Sequence, residues 1–194
     1  MITLLDKLKA TLDAPGLILG NAISDKYFAD WSGAKPCAPA ALLKPKTTDE
    51  LSAVMALCHQ YDQSVVVQGG LTGLAGGATP QNGEFAISLE YMSAIEEIDA
   101  TAMTLTALAG TPLQLLQEAA AEHDLFVPLD LGARGSCMIG GNVATNAGGT
   151  EVIRYGMTRS MVLGLEVVLA DGTVVSSMNK MVKNNSGYDL KHLF

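Results

Sequence analysis

The chain has 194 residues, of which 48% are hydrophobic and 16% charged, so it can bury a core as one domain or as two small lobes. Its formal net charge of −8 argues against nucleic acid as a partner, because binding to a phosphate backbone needs a basic face. The cysteines Cys37, Cys58 and Cys137 include no CxxC pair, so they indicate neither a disulfide framework nor a thiolate metal site and fit a reducing compartment.

The N-terminal part is predicted to be a helix followed by an irregular arm. The leucines of "LLDKLKATL" recur at helical spacing, and "APG" ends the pattern. An irregular segment then runs to about Pro45, and residues 1–34 are expected to form an N-terminal helix and arm. Because charges interrupt the leucines, the sequence predicts neither a signal peptide nor a transmembrane segment. We expect a cytoplasmic protein, and association with a membrane through partner proteins stays open.

The next segment predicts a helix and then several strands. "TTDELSAVMALCHQYDQ" places Thr47 three residues before Glu50, the spacing of a capping box, ahead of an apolar helical face. Short strands are predicted at "SVVVQ", "EFAIS", "AIEEID" and "MTLTALAG" because each is apolar or β-branched and is bounded by turn residues.

The second half predicts a helix and a hairpin on either side of a glycine-rich region. Thr111 and Pro112 are expected to be the N-cap and the first residue of a helix that ends at about His123. Further along, Asp171 and Gly172 join two β-rich runs, which is typical of a hairpin.

Glycine is concentrated in two places. Twelve of the twenty glycines lie in two clusters, five at residues 69–77 and seven at residues 132–156. Glycine costs roughly 0.5–1 kcal/mol relative to alanine inside a regular element, so such clusters indicate a need for positive φ or for close approach to something. One cluster alone is explained equally well by tight turns or by ligand binding, and two clusters favour a ligand.

The charge distribution limits how that ligand is held. Residues 47–133 contain no lysine or arginine but twelve of the twenty acidic residues, so a phosphate at the first cluster would depend on backbone N–H groups. The chain has no GxG, no GxxxxGK[ST] and no GxSxG, which argues against a Rossmann fingerprint, a P-loop and a nucleophile elbow. The three scattered histidines, His59, His123 and His192, are more typical of helix surfaces or caps than of ligands.

The two clusters resemble the FAD-binding domain of the FAD-linked oxidases of the PCMH, or vanillyl-alcohol oxidase, type. "QGGLTGLAGGATP" is followed at the expected distance by "PLDLGARGSCMIGGNVATNAGGTEVIRYGMTRSMVLGLEVVLADGTVV". Within that family the similarity is greatest to the D-2-hydroxyacid dehydrogenases, which include D-2-hydroxyglutarate dehydrogenase, D-lactate dehydrogenase and the flavoprotein subunit of glycolate oxidase. The first motif departs at two positions: Gln68 stands where the family often has arginine, and Leu71 where a third glycine is usual.

The resemblance assigns two sets of FAD-binding residues. The N–H groups of the first loop would surround the pyrophosphate, and its members are Gly69, Gly70, Leu71, Thr72, Gly73 and Leu74. The second set would line the isoalloxazine, ribityl and phosphate regions, and its members are Pro128, Gly132, Ser136, Gly140, Gly141, Asn142, Thr145, Asn146, Gly148 and Gly149.

Some of these side chains have a second interpretation. The hydroxyl and amide groups of the second set offer hydrogen-bond donors and acceptors to a cofactor, but Asn142 and Asn146 could instead serve only to tolerate turn geometry. Arg134, Arg154 and Arg159 could supply charge near phosphates or substrate, or be solvated at the surface.

The resemblance also implies an α+β fold. In the family, an N-terminal lobe has a small, mainly parallel sheet, a second lobe has a larger, partly antiparallel sheet, and FAD extends between them. We expect this PCMH-type domain at residues 35–194, with lobes at about 35–98 and 99–194. The family continues "NNSGYDLKHLF" with a "GSEGTLG"-like segment that also touches FAD, so the chain is expected to be the front portion of a longer flavoenzyme. The substrate domain, with its carboxylate-binding arginine, histidine metal ligands and catalytic base, would then be missing.

Two functions remain open from the sequence. The first is the FAD-binding portion of a D-2-hydroxyacid dehydrogenase, which passes hydride from the substrate α-carbon to flavin N5 and then to an electron acceptor. The second is a non-catalytic FAD-binding module or accessory subunit. FAD is expected to be non-covalent, because many relatives attach it through a histidine in the first loop and this chain has none between His59 and His123. No residue is assigned a catalytic or metal-binding role, and the chain alone is expected to be inactive.

Overall fold

The computed structural model describes residues 3–194, which fall into two compact units. The first unit ends at Met92 and also includes Val168–Val174. The second comprises Ser93–Val167 and Val175–Phe194. The chain thus changes unit at Met92, slightly before the junction expected near Ile98.

A four-stranded sheet forms the centre of the first unit. Its strands are β1 (Leu17–Leu19), β2 (Ala41–Leu43), β3 (Val65–Gln68) and β4 (Phe85–Ser88). β2 and β3 both run parallel to β4, whereas β1 pairs with β2 in the antiparallel direction. The sheet is therefore small and mainly parallel, as predicted.

The segment before Pro45 is more regular than the sequence indicates. β1 and β2 lie in it, together with short 3-10 helices at Gly20–Ala22 and Asp25–Tyr27. Leu42 and Leu43 are fully buried in two core clusters. The prediction of an irregular segment was wrong here because a three-residue strand is too short to show a hydrophobic period.

Two helices pack together in the first unit and contribute to the same core. α1 (Leu4–Thr11) begins with a capping box between Thr3 and Asp6, and Leu8 is buried. α2 (Thr48–Gln60) begins at Thr47, whose Oγ1 accepts the Glu50 N–H at 3.1 Å as predicted. The Glu50 carboxylate accepts the N–H of Lys46, one residue before the N-cap.

The predicted turn at Gly172 is confirmed and belongs to the first unit. Gly172 has φ +88°, and a Cβ atom there would lie 2.6 Å from the Ser52 carbonyl oxygen and 2.8 Å from Ala56 Cβ. Ser52 Oγ donates to the Gly172 carbonyl oxygen at 2.6 Å. Glycine is therefore required both for the turn conformation and for close contact with α2.

The second unit contains antiparallel pairing and three short helices. β5 (Ile95–Asp99) pairs antiparallel with β6 (Thr104–Ala107), and β7 (Leu165–Val168) pairs with β8 (Val174–Ser177). Val168 and Val174, one at the end of β7 and one at the start of β8, belong to the first unit. The helices are α3 (Leu113–Ala121), α4 (Ile139–Ala144) and α5 (Val152–Tyr155), and 3-10 turns lie at Thr158–Met161 and Leu190–Leu193. The strands are paired in twos between sequence neighbours and do not join into one larger sheet.

The start of α3 differs from the prediction. Pro112 is the N-cap, and the helix ends at Ala121 and not at His123. Thr111 does not cap the helix because its buried hydroxyl donates to the Ala94 carbonyl oxygen and accepts the Ala94 N–H, both at 3.0 Å.

Among residues 3–194, no helix is long and apolar enough to cross a membrane.

Candidate functional site

The predicted site residues lie in two groups, one in each unit. The first group forms the loop after β3. In the second unit, the predicted residues occupy the segment before α4 (Pro128, Gly132, Ser136), α4 itself (Gly140, Gly141, Asn142) and the segment after it (Thr145, Asn146, Gly148, Gly149).

The glycine loop, residues 69–77, presents free backbone donors. Within the described residues 3–194, none of its N–H groups has a hydrogen-bond acceptor. The loop is half-buried or exposed, and Leu74 at its tip is 77% exposed. In this half-buried or exposed loop the N–H groups are open to water, so they are available to donate to an anion through the backbone.

Leu71 adopts a glycine-like backbone conformation at the position where the family motif usually has a third glycine. Its φ of +58° lies in the left-handed region that glycine normally occupies. The side chain packs against the buried cluster that includes Ile23, Leu42 and Val66. The cost of the left-handed conformation is thus offset by an apolar anchor, which a glycine would not supply.

The base of the loop is closed by Gln68, which is fully buried. Its Nε2 donates to the carbonyl oxygens of Tyr27 and Ala78, both at 2.9 Å. Within residues 3–194, Gln68 Oε1 is buried without a partner. The Gln68 side chain therefore links the start of the loop to Ala78 at its end.

Asp30 holds the same end of the loop and was not found from the sequence. Its Oδ2 accepts the Ala78 N–H at 3.3 Å, and its Oδ1 accepts the Ser32 N–H at 3.0 Å and the Thr79 hydroxyl at 3.2 Å. Burial raises the pKa of Asp30 and the hydrogen bonds from Ser32, Ala78 and Thr79 lower it, with a net downward shift. No local pattern identifies this residue, because it lies far upstream in the segment interpreted as an arm.

In the second group, two glycines are required by the protein itself. A Cβ atom on Gly140 would lie 2.6 Å from Ala109 Cβ, and one on Gly149 would lie 1.7 Å from the Asp130 carbonyl oxygen. Gly140 N–H also donates to the Ala109 carbonyl oxygen at 2.8 Å. The close approach at these two positions is therefore to neighbouring backbone and side chain.

Two other glycines of this group face open space. A Cβ atom on Gly132 or Gly141 would meet no atom within 4 Å. At Gly148 the nearest atoms belong to the flexible Met157 side chain, at 2.8 Å. Gly132 and Gly141 are consequently the positions where internal packing gives no reason for glycine and a bound cofactor would.

The polar side chains of the second group also divide into those that are bonded within the protein and those that are not, among residues 3–194. Thr145 Oγ1 donates to the Gly141 carbonyl oxygen at 2.8 Å, and Asn146, at φ +49°, accepts the Arg159 N–H at 2.9 Å. Ser136 is exposed. Asn142 lies inside α4, 6% exposed, and within residues 3–194 its Oδ1 has no hydrogen-bond partner. A buried acceptor without a partner is costly, so Asn142 fits a donor from a ligand better than a turn role.

The three arginines all have partners in the second unit. Arg134 Nη1 lies 2.8 Å from Asp130 Oδ1, and hydrogen bonding to Arg134 lowers the Asp130 pKa. Arg159 Nε donates to His192 Nδ1 at 3.2 Å, and the Arg154 guanidinium lies 5.1 Å from the centre of the Tyr155 ring. These contacts account for their positions and leave a cofactor role unassigned.

Comparison with known proteins identifies the class. The family described as "FAD binding domain" matches residues 39–177, more than half of the chain. The chain therefore belongs to this FAD binding domain family, and FAD is its cofactor.

Similar curated proteins include D-2-hydroxyglutarate dehydrogenases. The mitochondrial enzyme of Bos taurus is 46% identical over 85% of this chain. The enzyme of the bacterium Xanthomonas citri pv. viticola is 46% identical over 87%, and the enzyme of Stutzerimonas stutzeri is 39% identical over 98%. The chain spans 30%, 36% and 41% of the lengths of these three relatives.

Solved structures share the fold at low sequence identity. Alkyldihydroxyacetonephosphate synthase superposes with a TM-score of 0.85 at 19% identity, over 98% of this chain and 36% of that one. 6-Hydroxy-D-nicotine oxidase from Arthrobacter nicotinovorans gives 0.73 at 20% identity, over 86% of this chain and 36% of that one. These likenesses confirm the predicted mixed α and β fold.

Proposed function

We propose that residues 35–194 form the FAD-binding portion of a flavin-dependent D-2-hydroxyacid dehydrogenase whose substrate-binding portion lies outside these 194 residues. The observation that carries the proposal is the run of unpaired N–H groups at residues 69–77. The length of the relatives supports the second part, and the similarity to D-2-hydroxyglutarate dehydrogenases favours D-2-hydroxyglutarate over D-lactate or glycolate as the substrate. The free thiols Cys37, Cys58 and Cys137 fit a reducing compartment.

Each group of residues has a distinct part in this proposal. The loop that contains Gly69, Gly70, Leu71, Thr72, Gly73 and Leu74 donates N–H groups to the pyrophosphate. Asn142 Oδ1 accepts a hydrogen bond from the cofactor, and Gly132 and Gly141 leave space for it. Thr145 and Asn146 end α4, while Gly140, Gly148 and Gly149 let the surrounding chain pack closely. When bound, FAD supplies the group that accepts a hydride from the substrate.

The first prediction concerns Gly141. Gly141→Ala is expected to weaken FAD binding by about tenfold, because the added methyl group occupies space left for the cofactor. The same change should leave the FAD-free protein as stable or up to about 1 kcal/mol more stable, since alanine favours a helix over glycine. Flavin absorbance titration and thermal unfolding would measure the two effects.

The control for this experiment is Gly187→Ala, where a Cβ atom also meets nothing within 4 Å. It should bind FAD like the unmodified chain. An unmodified chain that neither perturbs the flavin spectrum nor gains thermal stability with excess FAD would refute the proposed cofactor binding. Equal affinities for the two variants would refute the role of Gly141.

The attachment of FAD can be tested on the same material. We expect acid precipitation to leave colourless protein and a yellow supernatant, because the first loop has no histidine. Burial raises the pKa of Cys137, which disfavours the thiolate needed to attack the flavin. Yellow protein in the pellet would show a covalent bond.

A third prediction is that the 194 residues alone do not oxidise a 2-hydroxy acid. Hydride transfer needs the α-carbon fixed against the flavin and a base within hydrogen-bond reach of the hydroxyl group. Among residues 3–194, no three His, Cys, Asp or Glu side chains are grouped to hold a metal ion. The measurement is anaerobic flavin bleaching by D-2-hydroxyglutarate, D-lactate, D-malate and glycolate. Bleaching by any of them faster than that of free FAD would contradict this prediction.

The longer protein separates the dehydrogenase from a non-catalytic module. Bleaching by D-2-hydroxyglutarate in a protein that continues beyond Phe194 supports the proposal. A longer protein that binds FAD but is bleached by none of the four acids would instead be an accessory module.

A further inference from the structure

One peptide group at the end of the glycine loop is held from both sides. The Ala78 carbonyl oxygen accepts from Gln68 Nε2 at 2.9 Å, and the Ala78 N–H donates to Asp30 Oδ2 at 3.3 Å. Thr79 adds a reciprocal pair, since its hydroxyl donates to Asp30 Oδ1 and accepts the Asp30 N–H at 3.1 Å. The exit of the loop is thereby fixed to its entrance and to the segment around Asp30.

The charge of Asp30 is unfavourable for the ligand of this loop. A Cβ atom on Gly73 would lie 3.7 Å from Asp30 Oδ2, so the carboxylate lies against the middle of the loop. Within residues 3–194, no lysine or arginine forms an ion pair with it, and it is 8% exposed. A carboxylate in this position repels a bound pyrophosphate. Its role must therefore come from the hydrogen bonds that it accepts.

The hydrogen bonds of Gln68 also serve the shape of the loop. Both of its amide donors go to carbonyl oxygens, of Tyr27 and Ala78, while its buried Oε1 has no partner within residues 3–194. The side chain thus makes two hydrogen bonds that shape the loop, although this leaves its own oxygen without a partner among residues 3–194.

We propose that Asp30 and Gln68 are positioning residues that hold the glycine loop in the conformation in which its N–H groups bind phosphate. This inference rests on the proposed FAD binding. A loop ordered in advance loses less conformational freedom when the ligand binds, so the two residues raise affinity without touching the ligand. The gain exceeds the repulsion from the Asp30 charge.

The direction in which one substitution changes the affinity for FAD tests this inference. Asp30→Asn removes the negative charge and also removes an acceptor for the Ala78 N–H. We expect FAD to bind about tenfold more weakly, because the lost hydrogen bonds involve a charged acceptor. Asp62→Asn, which removes the same charge from an exposed residue of the same unit, should change affinity less than about twofold. Tighter binding by Asp30→Asn would overturn the inference.

Affinity must be separated from stability. Binding is measured by flavin titration well below the unfolding temperature of each FAD-free variant, for Asp30→Asn, Gln68→Met and the double variant. A lower unfolding temperature with unchanged affinity would mean that the residues only stabilise the fold and would overturn the inference. Because both residues act on the Ala78 peptide, the double variant should lose less affinity than the product of the single losses, and a full product would also count against it.

An FAD-free measurement keeps this inference separate from the proposed function. The backbone order parameters of residues 69–77, measured by NMR relaxation, should fall in Asp30→Asn and Gln68→Met but not in Asp62→Asn. Failure of the unmodified chain to bind FAD would refute the proposed function. Unchanged order parameters would refute the positioning role whether or not FAD binds.

Discussion

Gly149→Ala is expected to destabilise the protein by about 3 kcal/mol or more, which is at the upper end of the cost of overpacking. The added Cβ atom would lie 1.7 Å from the Asp130 carbonyl oxygen and 2.7 Å from the Asp130 carbonyl carbon. Both are backbone atoms, so no side-chain rotation relieves the overlap. The change in urea midpoint, followed by circular dichroism, measures the effect.

Gly132→Ala is the matched control for this substitution. Gly132 belongs to the same cluster, but a Cβ atom there meets nothing within 4 Å, so the midpoint should stay close to that of the unmodified chain. Similar midpoints for the two variants would show that Gly149 is not required by packing.

Glu90→Gln is expected to cost about 2 kcal/mol at neutral pH, because it leaves the largely buried Lys44 without its counter-charge. Glu90 Oε1 lies 2.6 Å from Lys44 Nζ and accepts the Tyr27 hydroxyl at 2.7 Å, while Oε2 lies 3.1 Å from Lys26 Nζ. The Lys44 side chain is 9% exposed and lies over the rings of Tyr27 and Tyr91, which lessens the cost below that of a bare buried ion.

The pH dependence of this effect follows from the pKa of Glu90. Burial raises that pKa, hydrogen bonds from Lys44, Tyr27 and Lys26 lower it, and the net shift is downward. The ionised carboxylate therefore stabilises the fold fully above its unfolded pKa of about 4.3, and this contribution is lost as the pH falls through the lower folded value. Urea unfolding of both proteins should show a difference that is largest at neutral pH and shrinks in acid.

A double variant provides the control. Lys44→Met combined with Glu90→Leu removes both charges from the buried pair and should be more stable than Glu90→Gln alone, because the only ion left without Glu90 is the exposed Lys26. A loss for Glu90→Gln that does not depend on pH would mean that shape, and not charge, accounts for the effect.

The fold could be predicted where a local pattern was long enough. α2, β3, β4, β5 and β6 each carry an apolar period or a β-branched run bounded by turn residues, and all are present. β1 and β2 have three residues each, and their pairing depends on partners distant in the sequence. α4 and α5 were missed because they are short, and because Gly140 and Gly141 in the first turn of α4 disfavour a helix.

The candidate site was predictable in composition but not in detail. The glycine clusters and their likeness to FAD-linked oxidases are visible in the sequence. Which glycines face open space and which fit against the chain depends on contacts such as those of Gly149 with Asp130. Asp30 is invisible for the same reason, because its relation to Ala78 spans 48 positions and leaves no local pattern.

The discontinuous first unit has a consequence for synthesis on the ribosome. Ser52 on α2 and Gly172 are bonded across 120 positions, within one compact unit. At about 5–20 residues per second, Gly172 is made on the order of ten seconds after Ser52. During that interval the face of α2 that receives Gly172 is open to chaperones and to neighbouring chains. The first unit can therefore be completed only after translation has passed the second glycine cluster and reached Val174.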